Sequence, residues 1–277
     1  MDPKPLQQAL GSSITSSSGK VYGQPGTCPD CGAEKELVTN PICSVWSAPC
    51  ECAEKRKEAE RQEAIRQAII QIRKERIDRY FQQSRLGERF RESTFDNWQE
   101  IPGAAKAFKA AREFVARWPE MRVRGEGLLF YGIPGNGKSH LAAAIVNELI
   151  PQEVAAVFQD TPELLARFRS TYQPGAEESE QALLDVLADA DLLVLDDVGA
   201  EKWSEWVEMQ LFRVINARYR HKRPLIVTSN LGMDKLSGAI GPRSLSRLIE
   251  MCRLIEVTAP DYRVKIAEQR GKRRAEG

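Results

Sequence analysis

Short apolar runs alternate with amphipathic segments along the second half of the chain. The runs predict five strands, with the sequences GLLFYG, VAAVFQD, DLLVLDD, PLIVTSN and RLIEVT. Amphipathic helices are predicted between them over residues 138–149, 162–172, 204–220 and 243–251. Strands that are apolar throughout are typical of a parallel sheet covered on both faces. We therefore expect an α/β domain over residues 101–265, with a parallel sheet flanked by helices.

A polar segment with strong helix-forming character precedes this domain. Neither Gly nor Pro occurs between Ala53 and Arg79, so the segment is expected to form one long helix. Ile65, Ile69 and Ile72 form an apolar stripe along it, beside nine basic and six acidic residues. The charges are typical of a solvated helix face, whereas the stripe favours a helix that binds a partner. We assign residues 53–100 to a helical connector and partner-docking region.

A second helix is predicted where the connector meets the α/β domain. The connector includes the sequence SRLGERFRESTFDNW. After Pro102 and Gly103 the chain is expected to be helical as far as about Trp118, because Pro119 cannot continue a helix.

The composition narrows the class of protein. The chain has 277 residues, of which 42% are hydrophobic and 29% charged, and its net charge is +1. Because the chain has 40 basic and 39 acidic residues, a nucleic-acid footprint would have to be local. The basic tail over residues 266–277 is one candidate, although its charges are also typical of a plain solvated tail. No run of about 18 apolar residues is present, so neither a membrane span nor a membrane partner is expected. Residues 1–26 are rich in Ser, Gly and Pro and lack the apolar core of a signal peptide, which favours a disordered start and a cytoplasmic protein.

Five of the six cysteines lie within residues 27–52, which we predict to be a zinc-binding module. A C-x-x-C pair followed by glycine opens it, and a C-x-C pair closes it. Both histidines lie in the α/β domain, so a metal site here would consist of thiolates, and four thiolates suit tetrahedral Zn²⁺. The predicted ligands are Cys28, Cys31, Cys50 and Cys52. Cys43 is the alternative member of the second pair, although its apolar surroundings also suit a core residue.

The sequence GIPGNGKS after the first strand fits the phosphate-binding pattern G-x-x-x-x-G-K-[S/T]. Backbone N–H groups of such a loop surround phosphates at a helix N-terminus. Its lysine is expected to reach the β- and γ-phosphates, and its serine hydroxyl to bind Mg²⁺. The predicted nucleotide-binding residues of the loop are Gly132, Pro134, Gly135, Asn136, Gly137, Lys138 and Ser139.

Two acidic residues end the third predicted strand. Asp196 follows four apolar residues, the position at which a carboxylate holds the Mg²⁺ of a bound nucleotide. Asp197 comes next and is expected to polarise the attacking water. Asn230 ends the following strand and is predicted to orient that water. Together these motifs predict an ATPase that uses ATP and Mg²⁺.

The motifs resemble those of the AAA+ helicase loaders of the DnaC and DnaI type and of the related IstB transposition ATPases. The resembling segments run from about residue 85 to residue 263 and are RFRESTFDNW, GIPGNGKSHLAAAI, PELLARFRSTY, LLVLDDVGAEKWSEW, LFRVINARYRHKRPLIVTSNL and SRLIEMCRLIEVTAPDYR. The resemblance implies an AAA+ P-loop NTPase that acts as an ATP switch on single-stranded DNA and places a ring-shaped replicative helicase. It also suggests that the N-terminal zinc module docks on that helicase.

The resemblance gives roles to arginines as well. Arg247 matches the arginine finger, which implies self-association because a finger reaches the γ-phosphate in a neighbouring subunit. Arg243 lies one turn earlier and is a candidate to share this role, and Arg263 matches the sensor 2 arginine. Only 14 residues follow Arg263, too few for a full helical lid, so a minimal lid and a switch are expected rather than a processive motor.

Three functions are therefore open at the level of sequence. The first is an ATP-dependent helicase loader with slow hydrolysis that DNA or a partner stimulates, because Asp197 stands where AAA+ ATPases more often have Glu. The second is a transposition regulator of the IstB type that binds duplex DNA and activates a transposase. The third is a nucleotide-gated adaptor with negligible hydrolysis.

Overall fold

The computed structural model describes residues 14–16, 19–39, 42–47, 50–81, 88–264 and 267. The chain divides into two compact units, Met1–Gln71 and Ile72–Gly277. This division falls inside a helix, whereas the sequence suggested boundaries at residues 52 and 100. Apart from residue 267, the expected basic tail lies outside the described residues.

The first unit contains a small four-stranded sheet. Its strands are β1 (Ile14–Ser16), β2 (Gly19–Tyr22), β3 (Glu36–Thr39) and β4 (Cys43–Ser47). They lie in the order β1-β2-β4-β3, with β2 and β4 parallel and the other pairs antiparallel. Two strands thus fall in the segment 1–26 that was expected to be disordered, while residues 1–13 lie outside the described residues. Local composition does not reveal these strands because β2 pairs with a strand more than twenty residues further along.

A long helix, α1 (Cys52–Phe81), follows this sheet and confirms the predicted helix. Ile65, Ile69 and Ile72 are at least half exposed along it. Ile77, in the last turns, is fully buried and belongs to the core of the second unit. Helix α1 is therefore anchored at its C-terminal end, whereas its isoleucine stripe is exposed.

The second unit is built on a five-stranded parallel sheet, as the sequence predicts. Its strands are β5 (Gly127–Tyr131), β6 (Ala156–Asp160), β7 (Leu192–Asp196), β8 (Leu225–Ser229) and β9 (Cys252–Glu256). They lie in the order β6-β7-β8-β5-β9, and every adjacent pair is parallel. The carboxyl ends of β5, β6, β7 and β8 therefore meet at one edge of the sheet.

Helices cover both faces of this sheet. They are α2 (Glu88–Arg91), α3 (Ala105–Ala116), α4 (Trp118–Arg124), α5 (Lys138–Leu149), α6 (Thr161–Ser170), α7 (Glu180–Asp189), α8 (Glu205–Arg220), α9 (Met233–Ile240) and α10 (Pro242–Met251). Alternate residues of β7 explain the two layers: Leu193 and Leu195 pack with α6, α7 and α8, while Leu192 and Val194 pack with α3 and α5. Among the helices of the described residues, none has the length and apolar character that crossing a membrane requires.

The helices of the second unit differ from the expected ones in several places. Pro119 was expected to end a helix, and this is wrong: α3 ends at Ala116, and Pro119 lies in the first turn of α4. A proline fits there because the first turn has no helical acceptor for its missing N–H. Helices α7 and α9 were also not predicted from the sequence. Helix α9 has only eight residues and includes Gly238, so it has few apolar positions from which a period could be recognised.

Charged residues join α1 to the opposite edge of the sheet, where the strands begin. Asp191, directly before β7, is almost fully buried and accepts the backbone N–H of Ala155 at 3.2 Å. The guanidinium groups of Arg73, Arg122 and Arg223 lie 3.6, 2.9 and 3.6 Å from its carboxylate. One buried carboxylate therefore connects the end of α1 to α4 and to the start of β8.

Candidate nucleotide site and cysteine cluster

A cavity of about 520 Å³ lies at the carboxyl ends of the central strands. The phosphate loop, the strand ends and the segment before α3 all contribute side chains to it. The predicted site residues in its lining are Pro134, Gly135, Asn136, Gly137, Lys138, Ser139, Asp196, Asp197, Asn230 and Arg263. Gly132 lies directly after β5, at the start of the same loop. The structure thus gathers residues that are up to 131 positions apart.

The phosphate loop leads directly into the N-terminus of α5. Gly137 is the N-cap residue, with φ of 94°, and Lys138 is the first residue of the helix. Backbone N–H groups at a helix N-terminus carry partial positive charge and attract phosphate. Gly137 also has no room for a side chain, because an added Cβ would lie 2.5 Å from the ring of Trp98.

The segment after β9 packs against the phosphate loop. An added Cβ at Gly135 would lie 1.7 Å from Oδ1 of Asp261, and Gly135 has φ of 76°. The backbone N–H of Tyr262 donates to the carbonyl of Gly135 at 2.9 Å. Asn136 donates its side-chain amide to the carbonyl of Val257 at 2.7 Å. The loop therefore has its conformation fixed by residues more than 120 positions away.

Lys138 is buried among oxygen atoms of its own loop. Its Nζ donates to the carbonyls of Gly132 and Ile133, both at 2.8 Å, and to Oδ1 of Asn136 at 3.0 Å. Burial lowers the pKa of Lys138 to about 8, and the positive charge of Arg263 adds to this effect, while Asp197 and Asp196 oppose it. The ammonium group therefore points into the loop at the place where phosphate oxygens are expected.

Asp196 lies at the end of β7 with only 5% of its surface exposed. Thr228 donates its hydroxyl to Oδ1 of Asp196 at 2.5 Å, and Ser139 also hydrogen-bonds this carboxylate. Desolvation raises the pKa of Asp196 in spite of these bonds. A carboxylate beside a hydroxyl offers the hard oxygen ligands that Mg²⁺ prefers, so the residues present fit this ion.

Asp197 follows in the left-handed region, with φ of 58°, and its side chain enters the cavity. Asn230 donates its side-chain amide to Oδ1 of Asp197. Desolvation and the nearby Asp160 raise the pKa of Asp197, whereas Lys138 and Arg263 lower it. A carboxylate with a raised pKa and a fixed amide neighbour is suited to accept a proton from water. This role stays a prediction.

The candidate arginines occupy different places. Arg263 lines the cavity and is close enough to affect the pKa of Lys138. Arg247, on α10, is not among the described residues that line the cavity. Its guanidinium lies over the rings of Phe212 and Tyr219. Arg243 is exposed one turn earlier. An arginine finger has to act on a neighbouring subunit, and the position of Arg247 away from its own cavity agrees with that requirement.

Sequence reasoning missed one whole wall of the cavity. This wall comes from the segment before α3 and consists of Phe90, Ser93, Asn97, Trp98, Gln99 and Ile101. Asn147 of α5 holds the segment in place by donating to the carbonyls of Phe90 and Ser93 at 2.9 and 2.7 Å. No periodic pattern marks these residues. Asp160 was missed too, although an acid at the end of an apolar run was a usable signal.

The cysteine cluster is a separate site in the first unit. The sulfur atoms of Cys28, Cys31, Cys50 and Cys52 all lie within 4.8 Å of one another. A tetrahedral zinc site with Zn–S bonds of about 2.3 Å places its sulfur atoms about 3.8 Å apart, so the geometry fits such an ion. Cys43 lies on β4 and does not belong to this group of described residues.

The ionisation of these thiols also suits a metal. Backbone hydrogen bonds at Asp30 and Cys31 lower the pKa of Cys28 to about 7. Cys31 and Cys50 raise the pKa of Cys52 to about 12, because neighbouring thiols oppose a further negative charge. A cation bound between the four sulfur atoms would offset this repulsion.

Comparison with known proteins agrees with the geometry. A family model described as IstB-like ATP-binding protein matches residues 121–270, more than half of the chain. The chain belongs to this family. The residues that match the family model include the sheet from β5 to β9, the phosphate loop, Asp196 and Asp197.

Helicase loaders are among its relatives. The replicative helicase loader DnaC of Escherichia coli strain K12 is 29% identical over 190 residues, which are 68% of this chain and 76% of that protein. The crystal structure of the DnaC helicase loader has a TM-score of 0.56 and 26% identity, over 62% of this chain and 100% of that one. The crystal structure of DnaI has a TM-score of 0.54 and 27% identity, over 62% of this chain and 95% of that one. These matches confirm the AAA+ fold and the family resemblance.

Proposed function

We propose that this IstB-like protein is an ATP-dependent loader that places a replicative helicase on single-stranded DNA and acts as an ATP switch. The observation that carries the proposal is the similarity to the replicative helicase loader DnaC over three quarters of that protein. The assembled cavity around Lys138 and Asp196 supports nucleotide binding at the corresponding part of the chain. The six cysteines lie in described residues and none forms a disulfide, which suits action in the reducing cytoplasm.

The residues of the cavity suggest how ATP is held. The loop N–H groups and Lys138 bind the phosphates, and the Ser139 hydroxyl and Asp196 hold Mg²⁺, which neutralises charge on the phosphoryl group being transferred. Asp197 accepts a proton from a water molecule while the oxygen of that water attacks the γ-phosphorus. The bond between the γ-phosphorus and the bridging oxygen of the β-phosphate breaks, which gives ADP and phosphate. Asn230 orients Asp197. Asp197 stands where AAA+ ATPases more often have Glu, so we expect slow hydrolysis that DNA or the helicase stimulates.

Two arginines complete this mechanism. Arg263 lines the same cavity and stabilises the developing charge within its own subunit. Arg247 acts in a second copy of the chain, so that hydrolysis depends on self-association. This arrangement couples the nucleotide to assembly, which is what a switch requires.

The first unit and α1 are the proposed docking part. The cysteine cluster holds Zn²⁺, which stabilises a module too small to have a large core. The exposed isoleucines 65, 69 and 72 offer an apolar stripe that a helicase surface could cover. We assign residues 27–85 to helicase docking.

A loading assay tests the proposal directly. The replicative helicase of the same organism is offered a closed single-stranded DNA circle coated with single-strand binding protein, and unwinding of an annealed oligonucleotide is measured. We expect unwinding with the full chain and ATP, none with Lys138→Ala, and full unwinding with Lys235→Ala, a control at an exposed lysine on α9. Equal unwinding with and without the full chain would refute loading.

The transposition alternative draws on the same family match and makes an opposite prediction. A regulator of the IstB type would bind duplex DNA in preference to single strands and would stimulate a transposase. Binding of the full chain to labelled single-stranded and duplex DNA of equal length, with ATP present, separates the two. A strong preference for duplex DNA would favour the regulator.

The adaptor alternative is supported by Asp197 standing in place of Glu. An adaptor would bind ATP without turning it over. Steady-state ATPase rates of the full chain and of Lys138→Ala, each with single-stranded DNA, decide the matter. Equal rates would favour the adaptor, and a higher rate for the unsubstituted chain would favour the loader.

A further inference from the structure

Three residues of α8 form a cradle for Arg247. The guanidinium carbon of Arg247 lies 4.7 Å from the ring centre of Phe212 and 5.4 Å from that of Tyr219. Asn216, between the two aromatic residues, accepts the Nε–H of Arg247 at 3.0 Å through Oδ1. Because positions 212, 216 and 219 are spaced four and three residues apart, all three lie on one face of the helix.

The cradle is itself held in place. The hydroxyl of Tyr219 lies 2.9 Å from both carboxylate oxygens of Glu250, a residue on the same helix as Arg247. Arg247 also donates from Nη1 to the backbone carbonyl of Arg243 at 3.1 Å. The ring of Tyr219 and the helix that carries Arg247 are therefore joined by hydrogen bonds as well as by ring contact.

The cradle positions Arg247 without neutralising it. Its partners within the described part of the chain are two aromatic rings, an amide oxygen and a backbone carbonyl, and no ion pair or acceptor for Nη2 occurs among them. The nearby Glu250 is engaged by the Tyr219 hydroxyl instead. A carboxylate partner would engage both the charge and the donors of an arginine, often through two parallel hydrogen bonds. Arg247 is ordered while its charge and one of its terminal amino groups stay available.

We propose that Phe212, Asn216 and Tyr219 are positioning residues that hold Arg247 ready to enter the nucleotide site of a second copy of the chain. This inference rests on the proposed function, because it takes the ligand of Arg247 to be the γ-phosphate of ATP in that copy. A flexible arginine loses side-chain conformational entropy when it binds. The cradle reduces that loss, so it increases the stimulation that one subunit gives to another.

Mixing two variants of the chain distinguishes the subunit that provides Arg247, the giving subunit, from the subunit whose nucleotide site Arg247 enters, the receiving subunit. The giving subunit carries Asp197→Asn, which keeps Arg247 but removes hydrolysis at its own site. The receiving subunit carries Arg247→Ala, which keeps its own nucleotide site. Energy transfer between fluorophores on the two subunits reports mixed assembly with ATP. We expect each variant alone to be slow and the mixture to recover activity.

Phe212→Leu is then added to one subunit at a time. In the giving subunit we expect recovered activity to fall about fivefold, since leucine keeps the apolar contact but loses the cation–π interaction. The same substitution in the receiving subunit is expected to leave recovery within about twofold. Phe212→Tyr in the giving subunit retains the aromatic face and should restore recovery. Asn216→Ala in the giving subunit should reproduce the loss.

The other possible outcomes would each refute either the positioning role of the cradle or the trans role of Arg247. Equal loss from Phe212→Leu in either subunit would show a general structural role and refute positioning. Full recovery with Phe212→Leu in the giving subunit would also refute it, while leaving the trans arginine intact. Assembly without any recovery in the first mixture would refute the trans role of Arg247, and the cradle inference with it, but would leave helicase loading to be judged by its own assay.

Discussion

Asn230, directly after β8, donates its side-chain amide to the carboxylate of Asp197, directly after β7. The two residues directly follow neighbouring strands, so the parallel register of the sheet brings them together. The backbone N–H of Asp197 donates to the Thr228 hydroxyl at 2.9 Å, which holds the backbone of Asp197 against β8. We expect this pair to matter for hydrolysis and much less for nucleotide binding.

Asn230→Ala tests that expectation. The rate of ATP hydrolysis should fall about tenfold to a hundredfold, because the carboxylate that accepts the proton loses its orientation. The dissociation constant of ATP, measured by calorimetry, should change less than about threefold. Asp197→Asn is the matched variant and should abolish hydrolysis with the same retained binding. A large loss of ATP affinity in Asn230→Ala would place its role in binding.

The lowered pKa of Lys138 predicts how the affinity for ATP changes with pH. Because burial lowers the pKa of Lys138 to about 8, its ammonium is mostly lost by pH 9, and the dissociation constant of ATP should rise about tenfold between pH 7 and pH 9. Lys138→Arg is the control, since a guanidinium stays charged over this range, and its affinity should be nearly independent of pH.

The same pKa affects stability in the opposite direction. In the unfolded chain the lysine keeps its ordinary pKa of 10.5, so between about pH 8 and pH 10.5 the unfolded state binds more protons than the folded state. The contribution of Lys138 to the free energy of unfolding therefore rises with pH in this window. In Lys138→Met that contribution should disappear, as urea unfolding at pH 8 and pH 10 would reveal.

The cysteine cluster predicts one zinc ion per chain. Cys52→Ser should remove it and unfold the first unit, because four sulfur ligands are needed for a closed structural site. Cys43→Ser is the matched control, since Cys43 is outside the cluster, and it should retain the metal. Atomic emission on the purified full chain measures the content. Equal zinc in both variants would contradict the assigned ligands.

The buried carboxylate of Asp191 is expected to contribute to the free energy of unfolding of the second unit. Asp191→Asn should lower its free energy of unfolding by about 2 kcal/mol, because the buried carboxylate faces three guanidinium groups. Asp189→Asn removes a half-exposed carboxylate whose ion pair, within the described part of the chain, is with Arg76, and it should cost less than about 1 kcal/mol. Urea unfolding followed by tryptophan fluorescence compares the two. A loss of equal size in both would argue against the three-arginine arrangement.

The sheet could be predicted from the sequence because its central strands are continuous apolar runs. All five strands and the helix of the phosphate loop lie where the apolar pattern suggests, and Asp196, Asp197 and Asn230 could be placed because parallel strands end at one edge. The strands of the first unit could not be predicted in the same way. They are three to five residues long, and β2 pairs with β4, more than twenty residues further along.

The wall of the cavity before α3 shows a second limit. Trp98 is in position because Asn147 holds the segment and because Gly137 leaves space for the ring. Each of these contacts joins residues about 40 or more positions apart. Residue spacing identifies groups that act on phosphate, whereas contacts of this kind become visible only once the chain is folded.

The contacts of Gly132 and Gly135 have a consequence for protein engineering. Their missing side chains make room for Val257 and Asp261, which arrive from beyond the last strand of the sheet. The conformation of residues 132–139 therefore depends on contacts with residues outside this segment. Grafting these eight residues onto a strand–helix junction of another protein would transfer the recognisable pattern, but the transplanted loop would lack the distant backbone that holds it open.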